Sequence, residues 1–447
     1  MTTRRLKVEL FLLTAICFFV ISCSAKNLIV NTNKLPKTTG KKNVILITIS
    51  SLRADHVSCL DYDRDTTPNF DKFAKKNILF TNAFATSSWM MPSAGSIFTS
   101  SYPNNHGATH ISKNLGSEHY TLAEILNEYN YYTVGFCCNP RLSSEDGFGQ
   151  GFDFYDDYSA SMMLSSMSFG REDSVDINKK RTNDLINDAA IRWLQKNTHK
   201  PFFLFVHFYD NHWDYLPPFP YNTLYDPNYK GFIDGTEIAR EPLYSNKPSD
   251  EDTEHIIALY DGEIKQTDSD LGELLRFLEE TGQLENSIVI ICGEHGEQFY
   301  EHGHTSHHGI FEEMIHIPLA VSLPQSTKVK TIDSLVSGVD ILPTILDLLD
   351  VAVPVGCQGK SIRPLIDGKK ERINDFIIAE YTGGAVPNAL AIRFERFKFV
   401  QQENKVFAYD LSEDTLEQKK IYQHDFTGQM NQKFETIKNY MTLEVQK

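Results

Sequence analysis

Asn43-Val44-Ile45-Leu46-Ile47-Thr48-Ile49-Ser50-Ser51-Leu52-Arg53-Ala54-Asp55-His56 is the stretch whose reading decides the fold. Its first seven residues are mostly branched aliphatics with no polar alternation, the pattern of a strand buried on both faces in a parallel sheet. The serines and Arg53-Ala54-Asp55 then turn the chain. Thr67-Pro68-Asn69-Phe70 opens a helix, with proline where the first turn tolerates it. In an open α/β sheet, ligands bind outside the carboxyl ends of the strands. That makes Ser50 and Ser51 candidate site residues.

The same strand-then-helix order repeats along the chain. Apolar runs at 44–49, 132–137, 202–208, 287–292 and 317–323 read as strands, and 68–76, 122–129, 181–197, 254–280 and 341–349 as helices. In 254–280 the residues Ile257, Tyr260, Ile264, Leu271, Leu274, Leu275 and Leu278 keep helical spacing. The alternation predicts an α/β domain over 42–368, its central sheet mostly parallel with helices on both faces. From 369 to 447 the runs shorten (390–400, 405–409), predicting a small α+β subdomain with an antiparallel sheet and a terminal helix at 430–441. Residues 217–252, rich in Pro, Asn, Tyr and Asp, read as a long loop over the site.

With 447 residues and 41% hydrophobic content, the chain can bury a large core. Its formal net charge of −16, with no basic tract beyond the N-terminus, argues against nucleic-acid binding, which needs clustered cations. The same charge weakly repels a sulfated or phosphorylated ligand at long range, an effect that screening and local charge override. Outside the N-terminal segment the cysteines are Cys59, Cys137, Cys138, Cys292 and Cys357. They are odd in number and lack metal-ligand spacing, so they read as small buried hydrophobes.

Residues 1–23 read as a lipoprotein signal peptide. Arg4, Arg5 and Lys7 precede an apolar run at 10–21 that is short for a membrane span. Val20-Ile21-Ser22-Cys23 ends it as a lipobox, with Cys23 the lipidation site; the alternative is a signal peptide cut after Ala25. Residues 24–41 read as a polar tether. The expected location is export with a lipid anchor in a bacterial membrane. Ser24, in place of an acidic retention signal, is consistent with the outer membrane or cell surface.

Further segments follow the opening in a recognisable order: Ser101-Tyr102-Pro103-Asn104-Asn105-His106-Gly107, then 147–155, then Asp210-Asn211-His212. After these come Tyr260-Asp261-Gly262-Glu263-Ile264, Gly296-Glu297, Phe311-Glu312-Glu313, 339–343 and Gln358-Gly359-Lys360-Ser361. Taken together, from 42 to about 423, they closely resemble the sulfatase family of the alkaline-phosphatase-like superfamily. The resemblance implies that fold throughout. It also implies a divalent metal, calcium or magnesium, between one or two Asp after the first strand and a later Asp-His or Asp-Asn pair.

Those positions are altered here. Ser50 and Ser51 stand where the family has Asp, offer only neutral hydroxyls, and read as turn-closing residues. Glu294-His295 stands at the later pair, its carboxylate one methylene longer. At the nucleophile motif the chain reads Met90-Met91-Pro92-Ser93-Ala94. Met90, at the expected N-terminus of a helix, has no ionisable proton and cannot displace an ester. Ala94 removes the family's basic partner. Thr86, Ser87, Ser88 and Ser93 lie close and read as helix caps. The resemblance gives His212 and His308 substrate-contacting positions.

The expectation is a catalytically degenerate, pseudo-sulfatase relative that binds a glycan, an anionic polymer or a partner protein. The alternative is an active metal-dependent sulfuric or phosphoric ester hydrolase or transferase with a non-standard nucleophile. His302, His304, His307 and His308 lie in a Gly-broken loop without the cysteines or spaced carboxylates of a zinc site. Gly147-Phe148-Gly149-Gln150-Gly151 lacks the strand–loop–helix setting of a phosphate cradle.

Overall fold

Strand β1 (Asn43–Ile49) is buried along its whole length, and its alternate residues feed two different cores. In the computed structural model the described residues are 41–109, 114–157, 182–197, 200–236, 247–383 and 386–443. The signal segment, Cys23 and the tether up to residue 40 lie outside them.

After β1 come β2 (Ile78–Phe84), β3 (Tyr132–Cys137), β4 (Phe154–Asp156), β5 (Phe202–Phe208) and β6 (Ser287–Gly293). A hairpin of β7 (Gln298–Phe299) and β8 (Thr305–Ser306) follows, then β9 (His316–Ser322), β10 (Lys330–Ile332) and β11 (Val336–Ser337). The large sheet runs β10-β2-β9-β6-β1-β5-β3-β4, with β11 also on β2. Its pairings are parallel except those of β9, which runs against both β6 and β2.

The major helices are α1 (Pro68–Lys76), α2 (Met90–Thr99), α3 (Leu122–Glu128), α4 (Thr182–Lys196), α5 (Asp250–Glu280), α6 (Ile341–Leu348) and α7 (Gly428–Leu443). Strand side chains alternate between faces. Val44 and Leu46 join a core with Ile97 and Phe98 of α2, Leu122 of α3 and Ile345 of α6. Ile45, Ile47 and Ile49 join another with Phe70 of α1, Leu194 of α4 and Leu271 and Leu274 of α5. Each such aliphatic contributes about 1.5–3 kcal/mol by leaving water, which pins both the sheet and the loops at its edge.

Five strands form the C-terminal antiparallel sheet: β12 (Ile377–Tyr381), β13 (Ala389–Arg393), β14 (Phe397–Gln402), β15 (Lys405–Asp410) and β16 (Ile421–Tyr422). One face, with Ile392 and Phe399, packs on Phe434 and Ile437 of α7. The other, with Ala391, Phe407 and Tyr409, packs on Phe84, Met314 and Ile315 of the large domain. A buried ion network ties the same interface: Lys398 Nζ lies 2.9 Å from Glu417 Oε1 and 3.3 Å from Glu312 Oε1. Arg393 reaches Glu312 at 3.3 Å and covers the Phe84 ring.

The five expected strands and five expected helices are present within a few residues of their expected ends. Strand β2 is an addition that the sequence reading lacked. In the described part of 217–252, Tyr229 stacks on His255 of α5 at 3.6 Å, and Tyr225 donates to the Asp65 carbonyl in the loop before α1 at 2.7 Å.

Candidate active site

The carboxyl ends of β1, β5 and β6 are stitched together by their own backbone. Ser50 N–H donates to the Phe208 carbonyl at 2.9 Å, and Glu294 N–H to the Ile49 carbonyl at 3.0 Å. Ser50, Ser51, Glu294 and His295 therefore meet, as the sequence predicts, and all four are buried. Ser51 sits at φ +49°, in the left-handed region that a residue with a Cβ rarely adopts. Tyr260 holds it there, donating its hydroxyl to the Ser51 carbonyl at 2.5 Å while accepting the Arg53 N–H at 3.2 Å.

Parallel pairing puts His207 of β5 opposite Thr48 of β1. The Thr48 hydroxyl and His207 Nδ1 lie 2.8 Å apart, and His207 Nε2 points toward Glu294 with 3.9 Å to Oε2. That separation is too long for a hydrogen bond. Burial, reinforced by His295, pushes the His207 imidazole down to about 3. Burial also pushes the Glu294 carboxyl well above its usual range. Ser50 Oγ, His207 Nε2, both Glu294 oxygens and His295 Nε2 have no hydrogen-bond partner.

His307 closes the cluster. Its Nε2 lies 3.3 Å from Ser51 Oγ and 3.5 Å from Glu297 Oε2, and its Nδ1 lies 2.8 Å from Ser306 Oγ. The rings of His295, Trp89 and His212 surround it at 4.5, 5.2 and 5.2 Å. Burial lowers His307 well below, and His295 to about 4; burial together with His295 takes His212 to about 3. The imidazoles are thus neutral near pH 7, each with one donor and one acceptor nitrogen. His308 points elsewhere: its Nδ1 lies 3.3 Å from the Tyr381 hydroxyl of the C-terminal sheet.

Helix α2 begins at Met90, with Trp89 before it and no side chain capping its first N–H groups. Met90 is 8% exposed, and both it and Ala94 belong to the apolar core. Ser93 donates to the Glu294 carbonyl at 2.6 Å, and Ser88 to the His307 carbonyl at 3.0 Å, so these hydroxyls dock the helix on the cluster. His106 braces its other side, with Nε2 3.1 Å from the Pro92 carbonyl and 3.2 Å from Ser96 Oγ. Ser50, Ser51, Glu294, His295 and His212 thus lie around the strand-end cluster, with Met90 at the start of the helix docked on it. His207, His307 and Glu297 join them: His307 lies in the His-rich loop and Glu297 in the Gly296-Glu297 segment, while His207 carried no signal in the sequence.

A calcium or magnesium ion takes about six or more oxygen ligands, several of them anionic. The unpartnered atoms here comprise both oxygens of Glu294, one oxygen of Glu297, one hydroxyl and two imidazole nitrogens. Among the described residues no three His, Cys, Asp or Glu side chains are grouped to hold a metal ion. This donor set does not fit a hard divalent cation.

Comparison with known proteins bears on the same region. The family model described as Sulfatase matches residues 42–351, and that described as N-sulphoglucosamine sulphohydrolase, C-terminal, matches 300–443. The N-acetylglucosamine-6-O-sulfatase of Bacteroides thetaiotaomicron is 23% identical over 473 residues, covering 87% of this chain and 84% of that protein. A protein solved in complex with its substrate D-glucosamine-2-N,6-O-disulfate superposes with a TM-score of 0.71 at 20% identity, covering 90% of this chain and 98% of that one. The phosphonate monoester hydrolase of Agrobacterium radiobacter gives 0.73 at 21% identity, covering 91% and 96%.

Proposed function

Because this chain belongs to the sulfatase family, we propose that it is an exported, lipid-anchored member that binds a sulfated glycan at the strand-end cluster without cleaving the ester by the family's displacement. Met90 carries this reading. At the nucleophile position stands a thioether, buried in the apolar core, with no proton to lose. Ala94 supplies no charge beside it, and the cluster holds too few anionic oxygens for the metal.

What remains suits binding. The uncapped N–H groups of α2 favour an anion, beside the rings of His212, His295 and His307. Relatives that act on N-acetylglucosamine-6-O-sulfate or bind glucosamine disulfate support a sulfated saccharide as ligand. Cys23 would hold the protein at a bacterial surface. Calorimetry of the full chain tests this with glucosamine-2-N,6-O-disulfate against N-acetylglucosamine. The reading requires binding of the sulfated sugar alone, with no inorganic sulfate released on prolonged incubation; sulfate release, or equal binding of both sugars, contradicts it.

A second reading, an active ester hydrolase, rests on one contact. Ser51 Oγ faces His307 Nε2 at 3.3 Å, while Ser306 engages the other ring nitrogen. That is the arrangement of a hydroxyl with its general base. Covalent labelling by a fluorophosphonate, lost in Ser51→Ala, would favour it; a chain that is never labelled would exclude it.

A further inference from the structure

We propose that a cavity beside the strand-end cluster is a saccharide subsite, seating one pyranose ring of the sulfated glycan. It rests on the glycan-binding reading and adds a ring-binding surface to it. The cavity has a volume of about 230 Å³ and lies between the loop after β8 and the inner face of the C-terminal sheet, bordered by His304, His308, Phe311, Phe407, Tyr409 and Lys420. Sites for drug-sized ligands span roughly 300–1,000 Å³, so this one suits a single ring.

Its walls present flat carbon surface. His302 lies against Phe311 with centroids 3.5 Å apart and planes 5° apart, and Phe407 meets Tyr409 edge-on at 5.7 Å. Val400 and Ala389 add aliphatic surface. A pyranose offers the matching combination, an apolar C–H face and a rim of hydroxyls.

The polar groups make the site more than a packing gap. Tyr409 is 1% exposed, yet its hydroxyl has no hydrogen-bond partner. A buried hydroxyl left unpaired costs free energy, and a sugar hydroxyl in the cavity would supply the partner. His308, lowered by burial and by His304, is a neutral imidazole whose Nδ1 is engaged by Tyr381.

Charge selects the ring's substituent. Glu417 borders the cavity, but its carboxylate is paired with Lys398 at 2.9 Å. Lys420 is exposed, with its Nζ 4.6 Å from the centroid of the Phe407 ring. It brings positive charge to the rim, which favours a sulfated or carboxylated sugar. His307 and His308 are consecutive and face the cluster and the cavity respectively, so a glycan chain can engage both places.

Two probes and two variants test this by calorimetry on the full chain: glucosamine-2-N,6-O-disulfate, a heparin tetrasaccharide containing it, and Tyr409→Phe and Lys420→Ala. The monosaccharide should bind all three proteins alike, while the tetrasaccharide loses about tenfold in each variant. Tyr409→Phe should leave the melting temperature of the free chain unchanged or raised, an effect that a purely structural hydroxyl would not give. Unaltered tetrasaccharide affinity in both variants, with wild-type binding intact, overturns the subsite and leaves the glycan reading standing. Failure of the wild-type chain to bind either probe overturns both.

Discussion

His207 Nε2 and Glu294 Oε2 face each other across 3.9 Å inside the protein, both residues fully buried and neither atom hydrogen-bonded. Strand register, which fixes His207 opposite Thr48, brings this pair about. A carboxyl that serves no cation should tolerate replacement by its amide. Glu294→Gln is expected to shift stability by no more than about 1 kcal/mol in either direction, read as a change in urea midpoint at constant slope. A carboxylate clamping a buried cation would instead cost several kcal/mol when neutralised, on the scale of a broken buried ion pair.

Lys398 is paired with Glu417 and, together with Arg393, with Glu312, all at the interface of the large domain and the C-terminal sheet. Lys398→Met removes the charge and keeps most of the volume, leaving Glu417 buried without its counter-ion. A loss of about 3–5 kcal/mol follows, measured by equilibrium unfolding. A variant as stable as the parent would show that the network contributes nothing to docking.

The same network sets an acid limit. Against the upward push of burial, Lys398 and Arg393 hold the Glu312 carboxyl down to about 2. An unfolded Glu titrates near ~4.3. The stabilisation is therefore complete above that value and disappears as pH falls from it through about 2, because the unfolded chain takes up the proton first. Urea midpoints from pH 6 to 2.5 should fall more steeply in the wild type than in Glu312→Gln. Parallel curves would refute the assignment.

Gly95 allows α2 to approach His106: a Cβ there would lie 2.7 Å from His106 Cε1. Gly95→Ala forces the imidazole or the helix to move and should cost about 1–3 kcal/mol. Adding His106→Ala to Gly95→Ala should recover part of the loss, since it removes the colliding ring. Additive losses in the double variant would show that the contact is not the cause.

Much of this was legible from residue order, and the exceptions share a cause. The helices carried uninterrupted spacing, as at Leu271, Leu274 and Leu278, and β1, β5 and β6 were near-continuous apolar runs. Strand β2 escaped notice because it follows α1 after a single residue, Asn77, and carries a register shift between Phe80 and Ala83 that breaks its pattern. His207 looked like an interior strand residue, and only pairing with β1 shows what it faces. His307 and His308 are indistinguishable as neighbouring letters; loop geometry turns one toward Ser51 and the other toward Tyr381. The composition of 217–252 marks it as a loop but does not name its contacts, which include Tyr229 on His255 of α5 and Tyr225 on the Asp65 carbonyl.

The most direct test is titration of calcium and of magnesium into the chelator-treated full chain, followed by assay for aryl sulfate turnover. With only Glu294 and one free oxygen of Glu297 where a hard cation needs several anionic oxygens, no saturable binding below the millimolar range and no sulfate release are expected. One tightly held ion per chain, with turnover that vanishes in Glu294→Ala, would contradict the account.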